Sequence, residues 1–249
     1  GQYQTIISTY LEWSKNMKHI VIISGGSLNP AFVKTYMKSL SYDRLFVADK
    51  GLEYAKTLEL IPDYVVGDFD TVNADILDEY EQKAEQSGRI VVERHPARKD
   101  ETDTELAVWK AMEEGAEQIT LFGATGTRLD HVFANVGLLK QTVERNVEMF
   151  IVDETNRIRI VDGQCRPECC IRKEQRFGTY LSLVALTDEV CGVTLRGLEY
   201  PLTNATIYRG SSRTVSNQMA EKRAYISIRK GQLLIMESSD EWKMDAPIM

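Results

Sequence analysis

The sequence predicts an α/β fold joined to an all-β one: a parallel sheet with helices on both faces, followed by a small antiparallel β-sandwich. Three observations predict it. Short apolar runs alternate with helical stretches up to about residue 162. Beyond that point helical periodicity fades, and short strand-like segments separated by Gly, Asn and Pro take over. The changeover falls in a polar stretch, residues 162–175, that contains Gly163 and Pro167. The expected division is therefore 1–162 for the α/β part and 163–249 for the β part.

Residues 19–24 (HIVIIS) form an apolar run that ends at Gly25-Gly26, as a buried strand entering a turn does. Residues 44–48 (RLFVA) run into Asp49-Lys50-Gly51, and 64–67 (YVVG) into Asp68. Residues 89–92, 118–122 and 147–152 repeat the pattern. Helices are expected between the runs, at 31–39, 52–60 and 104–114. Downstream, strands are expected at 179–186, 192–195, 206–208 and 223–228. A unit of that size has little core of its own, so it should pack on something else.

The chain has 249 residues, of which 43% are hydrophobic and 27% charged, enough for a buried core and a wet surface. No apolar run is long enough to cross a bilayer, and the first residues lack a basic start followed by an apolar stretch. A formal net charge of −7 argues against nucleic acid, whose phosphates call for clustered Lys and Arg. Cys165, Cys169, Cys170 and Cys191 have no zinc-like spacing, so they are expected to be reduced thiols in a cytoplasmic protein.

In an open parallel sheet, ligands bind at the carboxyl ends of the strands. Those ends here are Gly25-Gly26, residues 49–51, 67–70, 99–105 and 123–131, and four of the five carry acidic residues. If residues 67–71 (GDFDT) stay extended, Asp68 and Asp70 share a face and repel, which a magnesium ion would relieve. Asp-x-Asp by itself also fits the cap of a helix starting near Val72. Thr102 and Glu105 have capping-box spacing, which leaves Asp100 and Asp103 without that explanation. The glycines of residues 123–131 (GATGTRLDH) offer N–H groups to an anion ahead of a helix, Arg128 can clamp a phosphate, and Asp130 adds a carboxylate.

Taken together, residues 62–72 (PDYVVGDFDTV), 99–107 (KDETDTELA), 123–139 (GATGTRLDHVFANVGLL), 197–202 (GLEYPL) and 215–217 (VSN) resemble the thiamine pyrophosphokinase family, in order and across most of the chain. The resemblance implies a Rossmann-like ATP-binding domain, a thiamine-binding sandwich, and a homodimer with thiamine held between subunits. It implies magnesium-dependent transfer of the pyrophosphoryl group of ATP to thiamine, giving thiamine diphosphate and AMP. Carried onto this chain, Asp68, Asp70, Asp103 and Asp130 become the metal and phosphate cluster, and Arg128 the clamp. Ligand contacts are expected from Asp49, Lys99, Thr102, Gly123, Thr125 and Asn135, and from Ser216 and Asn217 of the sandwich. The chain departs from the family where Lys99 stands for a Gln of some relatives, where Thr127 replaces a glycine, and where residues 233–236 (LLIM) lack a Trp.

A rival begins from the same residues. Residues 68–71 (DFDT) also fit the Asp-x-Asp-x-Thr opening of haloacid-dehalogenase-like phosphatases, in which Asp68 would be a nucleophile. That family puts the motif on its first strand, whereas two strands precede it here. A sensor that binds nucleotide or thiamine without turnover would not need so many mutually repelling charges.

Overall fold

The computed structural model describes residues 17–98 and 100–242. Lys99, one of the expected ligand contacts, lies outside them. The α/β part runs β1 (His19–Ile23), α1 (Pro30–Lys38), β2 (Arg44–Ala48), α2 (Gly51–Thr57), β3 (Tyr64–Gly67), α3 (Ala74–Ser87), β4 (Val91–Arg94), α4 (Asp103–Glu113), β5 (Gln118–Phe122), α5 (Leu129–Glu144) and β6 (Glu148–Val152). These six strands are parallel, in the order β4-β3-β2-β1-β5-β6. The direction of strand succession reverses between β1 and β5, which opens a crevice at their carboxyl ends.

Alternation within each central strand explains the two helical layers. Ile20 and Ile22 of β1, with Phe46 and Ala48 of β2, pack under Ala107, Val108, Leu138 and Leu139 of α4 and α5. Their neighbours Val21, Ile23, Leu45 and Val47 pack under Phe32, Val33, Leu52 and Tyr80 of α1, α2 and α3. Both faces are covered, so the strands read as continuous apolar runs, and Ile20, Val21, Ile22 and Ile23 are all fully buried. Local signals set the helix starts. Asn29 caps α1 by accepting from Phe32 N, with Pro30 at the first helical position. Asn73 caps α3, so the helix begins two residues beyond Val72 and its cap is neither Asp68 nor Asp70.

The downstream part departs from the expectation. Residues 162–175, expected as a polar connection, contain strand β8 (Glu168–Arg172), preceded by β7 (Asn156–Asp162), which was not expected as a strand. The remaining strands are β9 (Tyr180–Ala185), β10 (Glu189–Arg196), β11 (Leu202–Tyr208), β12 (Arg223–Ser227) and β13 (Gln232–Ser238). Only four of these strands form a separate antiparallel sheet, in the order β11-β10-β12-β8. The other three continue the main sheet as β6-β7-β13-β9, all antiparallel, making nine strands among the described residues. The line drawn at 162/163 thus falls inside a continuous hydrogen-bonded sheet. Leu183, Leu233 and Ile235 of its far end pack against Val190, Val193, Leu195, Ala224 and Ile226 of the small sheet. That contact supplies the core that the small sheet lacks alone. No helix among the described residues is long and apolar enough to cross a membrane.

Candidate active site

Three carboxylates converge at one edge of the sheet. Asp49 follows β2, Asp68 follows β3 and Asp103 opens α4, and a ligand oxygen from each lies within 4.8 Å of the others. Gly67 makes this approach possible, because a Cβ there would stand 3.2 Å from Asp49 Cα and 3.3 Å from Asp49 Oδ1. Asp103 is placed by its neighbours on both sides. Thr102 caps the helix through Glu105 N at 3.1 Å, and the Thr104 hydroxyl bonds to that of Ser24 at the end of β1, with both groups buried. The capping-box reading of Thr102 therefore holds for its own half of the motif. Glu105 instead accepts from Gln141 of α5.

Asp70 is not part of this group, and the local backbone explains why. The extended conformation that would put Asp68 and Asp70 on one face is not formed. Phe69 takes φ +64° and buries its ring, and Asp68 Oδ1 accepts from Asp70 N at 3.0 Å. This tight turn leaves Asp70 exposed. Asp49 itself has φ +47°, so two of the turns that shape the site use a region that side chains rarely enter.

Electrostatics mark the cluster as incomplete by itself. Burial raises the Asp49 carboxyl, and the charges of Asp103 and Asp68 raise it further, against a smaller opposite pull from the N–H groups of Lys50 and Phe69. Its Oδ1 is buried without a hydrogen-bond partner. Oxygen-only donors, an orphaned carboxylate oxygen and mutual repulsion suit a hard divalent cation. One prediction follows for protein stripped of divalent cations. A raised folded-state value means that Asp49 binds its proton more tightly in the folded chain than in the unfolded one. The stability it lends is full below its ordinary value near 3.8 and is lost as pH rises through the raised value. Chelator-treated Asp49→Asn should lose this acid-side gain and be more stable than the parent at neutral pH, as read by urea midpoints across pH. A less stable variant at neutral pH would contradict the repulsion.

The second element is the loop after β5. Gly26 N donates to Gly123 O at 2.9 Å, and a Cβ on Gly26 would stand 2.3 Å from that oxygen, so the loops after β1 and β5 touch at the crevice. Asn135 Nδ2 holds Ala124 O at 2.9 Å, and Thr125 Oγ1 donates to Asp153 Oδ2 at 2.6 Å. Thr125 and Asn135, expected to touch ligand, therefore brace the loop from two sides. Thr127 takes φ +53°, the conformation for which a glycine is the usual residue. Arg128 stands at the cap position of α5 and makes a two-pronged pair with Asp130, at 3.2 and 2.6 Å. Both side chains are largely exposed, so the pair is weak and Arg128 is readily given up to an arriving anion. Asp130 is outside the carboxylate group, and it also accepts from His131 N.

Ser216 and Asn217 lie elsewhere. Ser216 N donates to Ser182 Oγ and Leu181 N to Asn217 O, which ties this segment to β9, the far edge strand of the main sheet. Six to seven strand spacings, roughly 30 Å, separate β9 from β2 and β3. Asn217 is buried, and its amide is engaged with both backbone groups of Tyr200 and with Gln218 N. It therefore positions Tyr200, a residue 68% exposed, next to the segment that carries the exposed Ser216. The structure changes the place of one expected residue and adds another. Asp49, expected as a ligand contact, stands with Asp68 and Asp103, because it follows β2 as Asp68 follows β3. Ser24, not among the expected site residues, follows β1 in the same way and holds Thr104 beside Asp103.

Comparison with known proteins gives concordant matches. Residues 36–151 match the family described as thiamin pyrophosphokinase, catalytic domain, and residues 168–233 match its vitamin B1 binding domain. The thiamine pyrophosphokinase of Bacillus subtilis is 30% identical over 225 residues, covering 90% of this chain and all of that protein. Its crystal structure superposes with a TM-score of 0.78 over the same shares. The crystal structure of thiamin pyrophosphokinase from Geobacillus thermodenitrificans, 31% identical, gives 0.72 over 89% of this chain and 98% of that one.

Proposed function

Because the chain belongs to the thiamin pyrophosphokinase family and is an enzyme of that type, making thiamine diphosphate from thiamine, we propose that it moves the pyrophosphoryl group of ATP onto the thiamine hydroxyl and releases AMP. The observation that carries this reading is the Asp49–Asp68–Asp103 group at the strand ends, inside the region that matches the catalytic domain. These three residues would hold magnesium, with Asp70 and Asp130 at the rim. When bound there, the ion supplies neutralisation of phosphate oxygens.

The chain's own groups do the rest. The N–H groups of the Gly123–Gly126 loop and of Leu129 and Asp130 at the start of α5 would be offered to an anion, and Arg128 would exchange Asp130 for a phosphate oxygen. The thiamine hydroxyl attacks the β-phosphorus. A bond forms from that oxygen to phosphorus, the bond to the α-phosphate bridging oxygen breaks, and AMP leaves with that oxygen. We assign the hydroxyl proton to Asp103. Rate enhancement then comes chiefly from positioning and charge compensation. The separation between the carboxylates and Ser216 supports a thiamine site shared between two copies, with Ser216 and Tyr200 of one facing the carboxylates of the other. A cytoplasmic location and no nucleic-acid partner complete the reading.

The test is incubation of the protein with ATP, magnesium and thiamine. AMP and thiamine diphosphate should appear in equal amounts. Inorganic phosphate in place of AMP would favour the phosphatase reading, and thiamine binding with no AMP would favour a sensor.

A further inference from the structure

A cavity of about 300 Å³ lies where α1, β6, β7 and β8 meet, and its wall includes Tyr36, Phe150, Arg157, Arg159, Cys170 and Arg172. Three arginines and, among the described residues, no carboxylate line it. The nearest acid, Glu237, is already committed. It takes Arg157 on both oxygens at 2.9 and 3.0 Å, and Phe177 N at 3.0 Å. Arg157 also reaches Gln175 O at 2.8 Å. Among the described residues, Arg159 makes one ion pair, a long 3.4 Å contact to the same carboxylate, and its buried Nε has no hydrogen-bond partner; its guanidinium stacks 5.2 Å from the Phe150 ring centre. Arg172 makes no ion pair among the described residues. Close by, Glu148 faces Arg166 at 3.8 Å. Four guanidiniums thus meet two carboxylates.

A buried guanidinium with an unmet N–H carries a desolvation cost that a second acceptor would remove. Arginine's fixed fork matches the oxygens of phosphate or carboxylate groups. We propose that this cavity is a second ligand site, for a compact multivalent oxyanion bridging Arg159 and Arg172. It stands about four strand spacings from Asp49, roughly 20 Å, and on the α1 face of the sheet with Tyr36 and Phe150, whereas α5, which Arg128 caps, packs on the opposite face. Its occupant would touch both sheets at once and stabilise their junction.

The experiment is calorimetric titration of chelator-treated full-length protein with inorganic pyrophosphate and, in a second arm, with citrate, backed by alkylation of Cys170 followed by peptide mass analysis. At least one of the two anions should bind and slow labelling of Cys170. Arg172→Ala, on an edge strand, and Arg159→Met should each weaken that binding roughly tenfold or more, the loss of a charge-assisted hydrogen bond. Arg128→Ala should retain it. Preference for pyrophosphate or for citrate identifies a phosphate or a carboxylate ligand. Binding unchanged in a folded Arg172→Ala, abolished in Arg128→Ala, or without effect on Cys170 labelling would overturn the proposal.

Discussion

Asp68→Asn is expected to lower thiamine diphosphate formation by roughly 10²- to 10³-fold, the scale of losing one preorganised electrostatic contact at a reacting phosphate. The fold should survive, because Asp68 adds to the repulsion at Asp49 and asparagine keeps a side-chain oxygen to accept from Asp70 N. Without divalent cations the variant should be at least as stable as the parent, since one of three clustered charges is gone. With magnesium the order should reverse, because the parent gains stability from the bound ion and the variant gains less. Thermal melts with and without magnesium, run beside AMP release, test both halves. Near-normal turnover in the folded variant would remove Asp68 from the working set. Asp70→Asn, made in parallel, should cost much less, since the turn at Phe69 leads its carboxylate away from the group.

Glu237→Ala should be strongly destabilising, at about 3–5 kcal/mol, the usual cost of leaving a buried charge without its partner. Glu237 is almost wholly buried on β13 and holds Arg157 of β7 by two bonds and Phe177 by its backbone N–H. Burial alone would push its carboxyl up, and Arg157 and Arg159 together hold it below its ordinary value, so the pair is ionised at neutral pH. Cutting it strands two arginines inside the protein. The urea midpoint is the measurement, and a shift as small as that for a surface carboxylate such as Glu79 would show that water already reaches the pair.

The α/β half was legible because its strands are buried on both faces. Residues 20–23 carry the apolar run that a covered parallel strand requires, and nothing distant is needed to interpret them. In β7 the run is broken by Arg157 and Arg159, whose charges are tolerated only because Glu237, some 80 residues later, lies across from them. A local reading sees a polar connection. The same holds for β8, where Cys169 and Cys170 hide a strand, and for the addition of β13 and β9 to the main sheet, a pairing that no local pattern announces. At the site, the strand-end rule located Asp49, Asp68 and Asp103. It misjudged the company of Asp68 because phenylalanine rarely adopts a left-handed turn, and Phe69 does.

The order β7-β13-β9 also bears on how the chain comes to be folded. β9 leaves the ribosome before β13, yet its strand-to-strand place in the main sheet is against β13, which must slot between it and β7. Until then both flanking strands present open edges, a state prone to mispairing with other nascent chains. Completion of the sheet therefore waits on late synthesis, and a translation pause ahead of β13 would lengthen the interval in which a chaperone is needed.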